Sequence, residues 1–137
     1  MKKLIIFLSF ISIISSCKKS DDDTILSSTT TVSGLWKITS YIDNKSRDRT
    51  SNYSGNTFDF GSTGILIVNK SSTQYKGTHT IMMDSGKEKF IINISTTDND
   101  LAELNDDWIF VEKTSTKIRL TNTSGGNGGT KTLTFSK

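Results

Sequence analysis

Three kinds of residue in this sequence could do chemistry: one thiol, one imidazole and a short run of carboxylates. Cys17 and His79 are the only cysteine and the only histidine among 137 residues. A single cysteine forms no internal disulfide, and a zinc site built from histidine and cysteine needs three or four ligands. There is also no Gly-x-Ser-x-Gly motif. We therefore predict that the protein is not an enzyme and carries no cofactor.

His79 has two interpretations. An imidazole can serve as a general base or a metal ligand near neutral pH. It can also fill a core position. No cysteine, second histidine or orienting partner accompanies it, so the sequence favours the core position. We keep His79 as a candidate contact for a ligand or partner.

The carboxylates lie in one acidic segment. It contains Asp98, Asp100, Glu103, Asp106 and Asp107. Carboxylate oxygens are the ligands that Ca²⁺ prefers, but the spacing lacks the glycine and terminal glutamate of a calcium loop. We expect a solvated loop with helix-capping acids around residues 101–104, with Asp98 or Asn99 as N-cap, and no metal.

The thiol of Cys17 stands at the end of a processing signal. Two lysines precede an apolar stretch over residues 4–14, which is too short to span a bilayer as a helix. Ile14-Ser15-Ser16-Cys17 resembles the bacterial lipobox. That resemblance implies a helical signal peptide over residues 1–16, a diacylglycerol thioether on Cys17 and an acylated amine after cleavage. Two or more acyl chains anchor a protein stably to a membrane.

Residues 17–33 form a polar tether with too few apolar groups to fold. Its acidic run, Asp21–Asp23, resembles the surface-export signal of Bacteroidota lipoproteins, although a solvated spacer would look the same. We expect lipid anchoring to the outer membrane and exposure on the cell surface. The formal charge of +3 includes Lys2 and Lys3 of the signal, and no basic cluster suggests nucleic acid as a partner.

From Gly34 onward the sequence alternates with the period of half-buried strands. Eight strands are predicted, joined mostly by hairpins with glycine, asparagine, aspartate or serine at the turns. In the first strand, Trp36, Ile38 and Ile42 are predicted to share the core face. The core residues predicted across the domain are Trp36, Phe58, Phe60, Phe90, Ile92, Trp108, Leu120 and Phe135.

Eight short antiparallel strands predict an all-β domain over residues 34–137. The favoured architecture is an up-and-down barrel, because closure removes exposed edges; a two-sheet sandwich is the alternative. The longest connection, residues 43–56, carries Arg47, Arg49 and Tyr53 as candidate contacts for a ligand or partner.

The domain resembles the lipocalin-like lipoproteins common in Bacteroidota. The resemblance rests on Gly34-Leu35-Trp36, on residues 56–60 with Gly64, on Tyr75-Lys76-Gly77-Thr78, on residues 102–108 and on residues 130–135. It implies a barrel in which the Trp of the Gly-x-Trp opening plugs one end. His79 stands where such proteins often have a second tryptophan, so a ligand site does not transfer residue by residue.

Two functions follow as hypotheses. One is a membrane-anchored module that binds a small, partly apolar ligand inside the barrel. The other is a filled barrel that contacts an envelope protein or a glycan. An eight-stranded barrel is just wide enough for either case, and the large predicted core side chains favour a filled interior. We expect a monomer.

Overall fold

A computed structural model describes residues 31–126 and 128–137. Each strand pairs antiparallel with the next, and the last pairs with the first, so the sheet is a closed barrel. The barrel and not the sandwich is therefore the architecture. The strands are β1 Gly34–Ile42, β2 Thr57–Phe60, β3 Ile65–Lys70, β4 Thr73–Asp84, β5 Lys87–Ser95, β6 Asp106–Lys113, β7 Lys117–Thr123 and β8 Thr130–Ser136.

The up-and-down order gives the barrel two different ends. At the end where β1 begins, here called the proximal end, short turns follow β2, β4 and β6. The turns use glycine where the backbone needs a positive φ, as at Gly64 (82°) and Gly86 (75°). At the opposite, distal end, a 3₁₀ turn over Thr50–Tyr53 follows β1 and a helical turn, α1 Asn99–Ala102, follows β5.

Large side chains occupy the barrel interior. All eight residues predicted for the core are at most 2% exposed. Four rings form a ladder from wall to wall: Phe58 lies 5.3 Å from Phe135, Phe135 lies 5.5 Å from Phe60, and Phe60 lies 5.2 Å from Phe90. The two contacts of Phe135 are edge to face, and such pairs add about 0.5–1.5 kcal/mol each beyond their buried area.

A tryptophan sits near each end of the barrel. The Trp36 indole N–H donates to the Ser33 carbonyl at 3.0 Å at the proximal end. The Trp108 N–H donates to the Leu104 carbonyl at 3.0 Å at the distal end. Each indole therefore buries its ring while its polar atom is satisfied by a backbone carbonyl just upstream.

The prediction of which residue faces the core at the end of β1 was wrong. The pairing of β1 with β8 passes from Ile38 opposite Phe135 to Ser40 opposite Thr134, so Thr39 is an extra residue. A bulge of this kind moves every later side chain to the other face. Tyr41 is consequently buried at 1% exposure, and Ile42, predicted to face the core, is only partly buried.

The chain joins the barrel slightly before Gly34. Val32, placed in the tether by the sequence, is 2% exposed and belongs to the core cluster. In the part of the chain that the structure describes, no helix combines the length and the hydropathy needed to cross a bilayer. The predicted signal helix over residues 1–16 lies outside the described residues.

Candidate functional site

The residue with the clearest predicted chemistry, Cys17, also lies outside the described residues. Its lipidation stays a prediction, and the structure bears on it only through the position of the segment that follows. That segment joins the barrel at the proximal end, through Val32 and Ser33.

Arg47 closes a turn on its own loop. The Asp43 carboxylate accepts hydrogen bonds from the backbone N–H groups of Lys45 (2.9 Å) and Arg47 (3.0 Å). It also accepts from Nε of Arg47 at 2.7 Å and pairs with Nη2 at 2.6 Å. These bonds lower the pKa of Asp43 to about 2. The Arg47 side chain is about half exposed, but its guanidinium is bonded to the Asp43 carboxylate.

The 3₁₀ turn and α1 bind each other across the distal end. The Tyr53 hydroxyl donates to the Asp100 carbonyl at 2.9 Å, and Asn52 Nδ2 donates to Asp100 Oδ1 at 2.7 Å. Arg49 Nη2 lies 3.5 Å from the same carboxylate oxygen. These contacts hold the long 43–56 connection down as a cap over the barrel.

Tyr53 is therefore a structural residue. The prediction that it contacts a ligand or partner, made from its polar loop, was wrong. Its side chain is 1% exposed, and its ring meets Tyr41 edge to face at 5.3 Å. Burial raises the pKa of both phenols. The polar sequence around Tyr53 suggests an extended, solvated loop. The 3₁₀ turn instead folds the Tyr53 ring underneath the loop.

The acidic segment is neutralised by cations and backbone donors. The Asp98 side chain caps α1 by accepting from Leu101 N at 3.1 Å, as the sequence predicted. Lys70 Nζ lies 2.6 Å from Asp98 and 3.8 Å from Asp100. Asp106 pairs with Lys131 at 2.9 Å and Asp107 with Lys89 at 2.6 Å. Within residues 31–126 and 128–137, no group of three or more metal-ligating side chains could hold an ion.

His79 lies inside the proximal end, in an aromatic cage. Its ring contacts Phe60 at 5.1 Å and Phe90 at 5.7 Å, and Nε2 lies 2.9 Å from the Gly61 carbonyl. A carbonyl only accepts, so Nε2 carries the proton. Nδ1 is then an unprotonated acceptor, and it is buried with no hydrogen-bond partner.

Burial lowers the pKa of His79, and the Gly61 bond opposes this only in part. The imidazole is therefore neutral at physiological pH. It is 9% exposed, with no carboxylate or cation bonded to it in the described chain. This environment suits a side chain that packs in the core.

One depression on the outer wall has a mixed lining. It holds a volume of about 300 Å³ between β1 and β8. Its residues are Leu35, Lys37, Thr39, Ser136 and Lys137. Apolar surface beside two ammonium groups can accept a small ligand with an acidic and an apolar part.

Several residues that organise the distal end could not be identified from the sequence. Asp43 and Lys70 were not singled out, although they neutralise Arg47 and Asp98. The Asn105 side chain accepts from Ile94 N at 2.6 Å and donates to Ile94 O at 3.0 Å, so it continues the β5 ladder. Each partner lies on another part of the chain or just beyond a turn, and only the topology brings the pairs together.

Comparison with known proteins yields little. No protein-family model and no curated protein matches the sequence. Among solved structures, the fold is similar to that of a DUF4847 family protein from Bacteroides vulgatus. The two chains share 16% identity, with a TM-score of 0.49, and the match covers 76% of this chain and 92% of the other.

Proposed function

We propose that this protein is a lipocalin-like lipoprotein, anchored to the outer membrane through Cys17 and exposed at the cell surface. Its barrel is an interaction module for an envelope protein or a glycan. The packed interior is the observation that supports the role of the barrel as an interaction module. Rings that span the barrel from β2 to β5 and β8 occupy the place where a carrier would hold its cargo.

The cap supports the same proposal. Lipid and pigment carriers need an open mouth, whereas here Asn52, Tyr53 and Arg49 bind the 43–56 connection to Asp100. An occupied and capped barrel leaves its outer wall and its loops as the surfaces available to partners.

The anchor is supported by the sequence alone. Lys2 and Lys3, the apolar residues 4–14 and Ile14-Ser15-Ser16-Cys17 occur in the order that lipoprotein processing requires. Cys17→Ser removes the acylated thiol, so the variant should move from the detergent phase to the aqueous phase. Ser16→Ala, which keeps a small residue before the cysteine, is the matched control. A Cys17→Ser protein that still partitions into detergent would refute the anchor.

The filled interior has its own test. We expect no saturable change in tryptophan emission when the purified protein is titrated with an apolar fatty-acid probe, because Trp36 and Trp108 flank an occupied core. Saturable quenching of this emission would favour the carrier function instead.

A small, partly apolar ligand is the second candidate, held on the outside of the barrel. The depression of about 300 Å³ favours it, because its volume is at the lower limit of ordinary ligand pockets. Lys37→Ala should then weaken capture of an acidic amphiphile without changing stability.

A further inference from the structure

The exposed apolar side chains of the barrel are distributed unevenly. Across residues 31–126 and 128–137, the large hydrophobic residues that stay exposed are Leu35, Ile65, Met82, Met83 and Val111. All lie near the proximal ends of their strands. Leu35 and Ile65 are within the first two residues of β1 and β3, and the others are within the last three residues of β4 and β6.

Isolated exposed hydrophobics are ordinary on protein surfaces, but random placement would put some at the distal end. There the described loops present charged and polar side chains, such as Lys45, Arg47 and Asp48. We call the five apolar residues of the other end the proximal rim. Met83 is the most exposed of them, at 64%.

The chain that carries Cys17 joins the barrel at this same end, through Val32 and Ser33. Thirteen residues lie between Cys17 and Thr31, and the 14 Cα–Cα steps from one to the other span at most about 50 Å. An acylated Cys17 therefore keeps the proximal end within about 50 Å of the bilayer. Such tethering makes the encounter intramolecular, so a weak contact is enough to be populated.

The cations of the proximal end suit a phospholipid surface. Lys87 begins β5, Lys117 begins β7 and pairs with Glu112 at 3.0 Å, and Lys137 ends the described chain with its Nζ 4.7 Å above the Trp36 ring. All three lysines are exposed. Lysine stems can lie along apolar surface while their ammonium groups reach lipid phosphates.

We propose that the proximal rim rests on the lipid bilayer that holds the anchor, so that the barrel stands on the membrane with its distal cap pointing outward. This inference rests on the anchor in the proposed function. It adds an orientation: the distal loops face partners, and the proximal end faces lipid.

Single-cysteine labelling tests the orientation. In the lipidated protein Cys17 is a thioether, so Met83→Cys and Ser124→Cys each introduce one free thiol, at the proximal and distal ends respectively. Each is labelled with an environment-sensitive nitrobenzoxadiazole dye. The labelled proteins are then placed in vesicles of phosphatidylethanolamine and phosphatidylglycerol.

We expect the dye at position 83 to shift to shorter wavelength and to be quenched by nitroxide lipids. The dye at position 124 should keep the emission wavelength that it has in aqueous solution. Adding Ile65→Ser and Met82→Ser to the Met83→Cys protein should return its emission toward that in water, since both native side chains are about half exposed and their loss leaves the core intact.

The outcomes separate the two proposals. Vesicles that carry the protein while positions 83 and 124 both report water would overturn the orientation and leave the anchor standing. If Cys17 is labelled by the dye in the parent protein, or if the protein fails to sediment with vesicles, the anchor fails and the orientation fails with it.

Discussion

At the scale of single residues, backbone atoms hold several of the polar side chains in place. His79 is held by the Gly61 carbonyl, Trp36 by that of Ser33, and Asp43 by the N–H groups of Lys45 and Arg47. Because His79 and Asp43 each bond in one protonation state, these two residues make stability depend on pH.

His79 should destabilise the protein in mild acid. Its pKa is lowered in the folded protein, so the unfolded chain binds the proton more readily. Stability is then highest above the ordinary histidine pKa of about 6.5 and falls as the pH drops below it. Urea midpoints measured between pH 7.5 and 5 should decrease for the wild type and stay nearly level for His79→Gln. Parallel decreases in the two proteins would contradict this account.

The ionised Asp43 carboxylate should stabilise the folded protein except in strong acid. Its folded pKa of about 2 lies below the ordinary aspartate value. Its contribution is therefore present above about pH 4 and is lost as the pH falls toward 2. Asp43→Asn should lower the thermal midpoint at pH 7, and its difference from the wild type should shrink in strong acid. Asp59→Asn, on the exposed face of β2, is the control and should change little.

At the scale of elements, the strand alternation could be predicted because one face of each strand is buried and the other is not. The predicted strands and the α1 turn correspond to those of the structure. The bulge at Thr39 could not be predicted, since Tyr41 and Ile42 are both apolar enough for the core. The pairing partner, β8, decides between them.

Gly77 on β4 is needed for the close approach of two strands. A Cβ there would overlap the carbonyl oxygen of Asn93 on β5, which is backbone and cannot move aside without disturbing the pairing. Gly77→Ala should therefore cost about 1–3 kcal/mol of unfolding free energy. Gly125→Ala, where the added atom meets open space, should be nearly neutral. Equal urea midpoints for the two variants would contradict the proposed crowding.

At the scale of the whole molecule, the architecture and the core were predictable, while the candidate site was predictable only in part. Large alternating side chains have one place to go in a closed sheet, so Trp36, Phe60 and Phe135 were identified from pattern alone. Tyr53 was predicted to be a surface contact but is buried, and Lys70 was not predicted as the partner of Asp98. Their surroundings depend on the meeting of the 43–56 connection with α1, which no local pattern encodes.

Trp36 tests whether the proximal end is part of one cooperative core. It is 1% exposed, and Lys137 Nζ lies 4.7 Å above its ring. Trp36→Ala should cost about 3–5 kcal/mol, as other core aromatic truncations do. Equilibrium denaturation followed by circular dichroism measures the change. A cost below about 1 kcal/mol would place Trp36 outside the core, given the size of ordinary surface effects.

The anchor is the claim on which location, orientation and partners all depend. Mass spectrometry of the protein purified from membranes measures it directly. We predict that the mature chain begins at Cys17 and carries a diacylglycerol thioether with a further acyl chain on its amine. A chain with an unmodified thiol at residue 17 would contradict it.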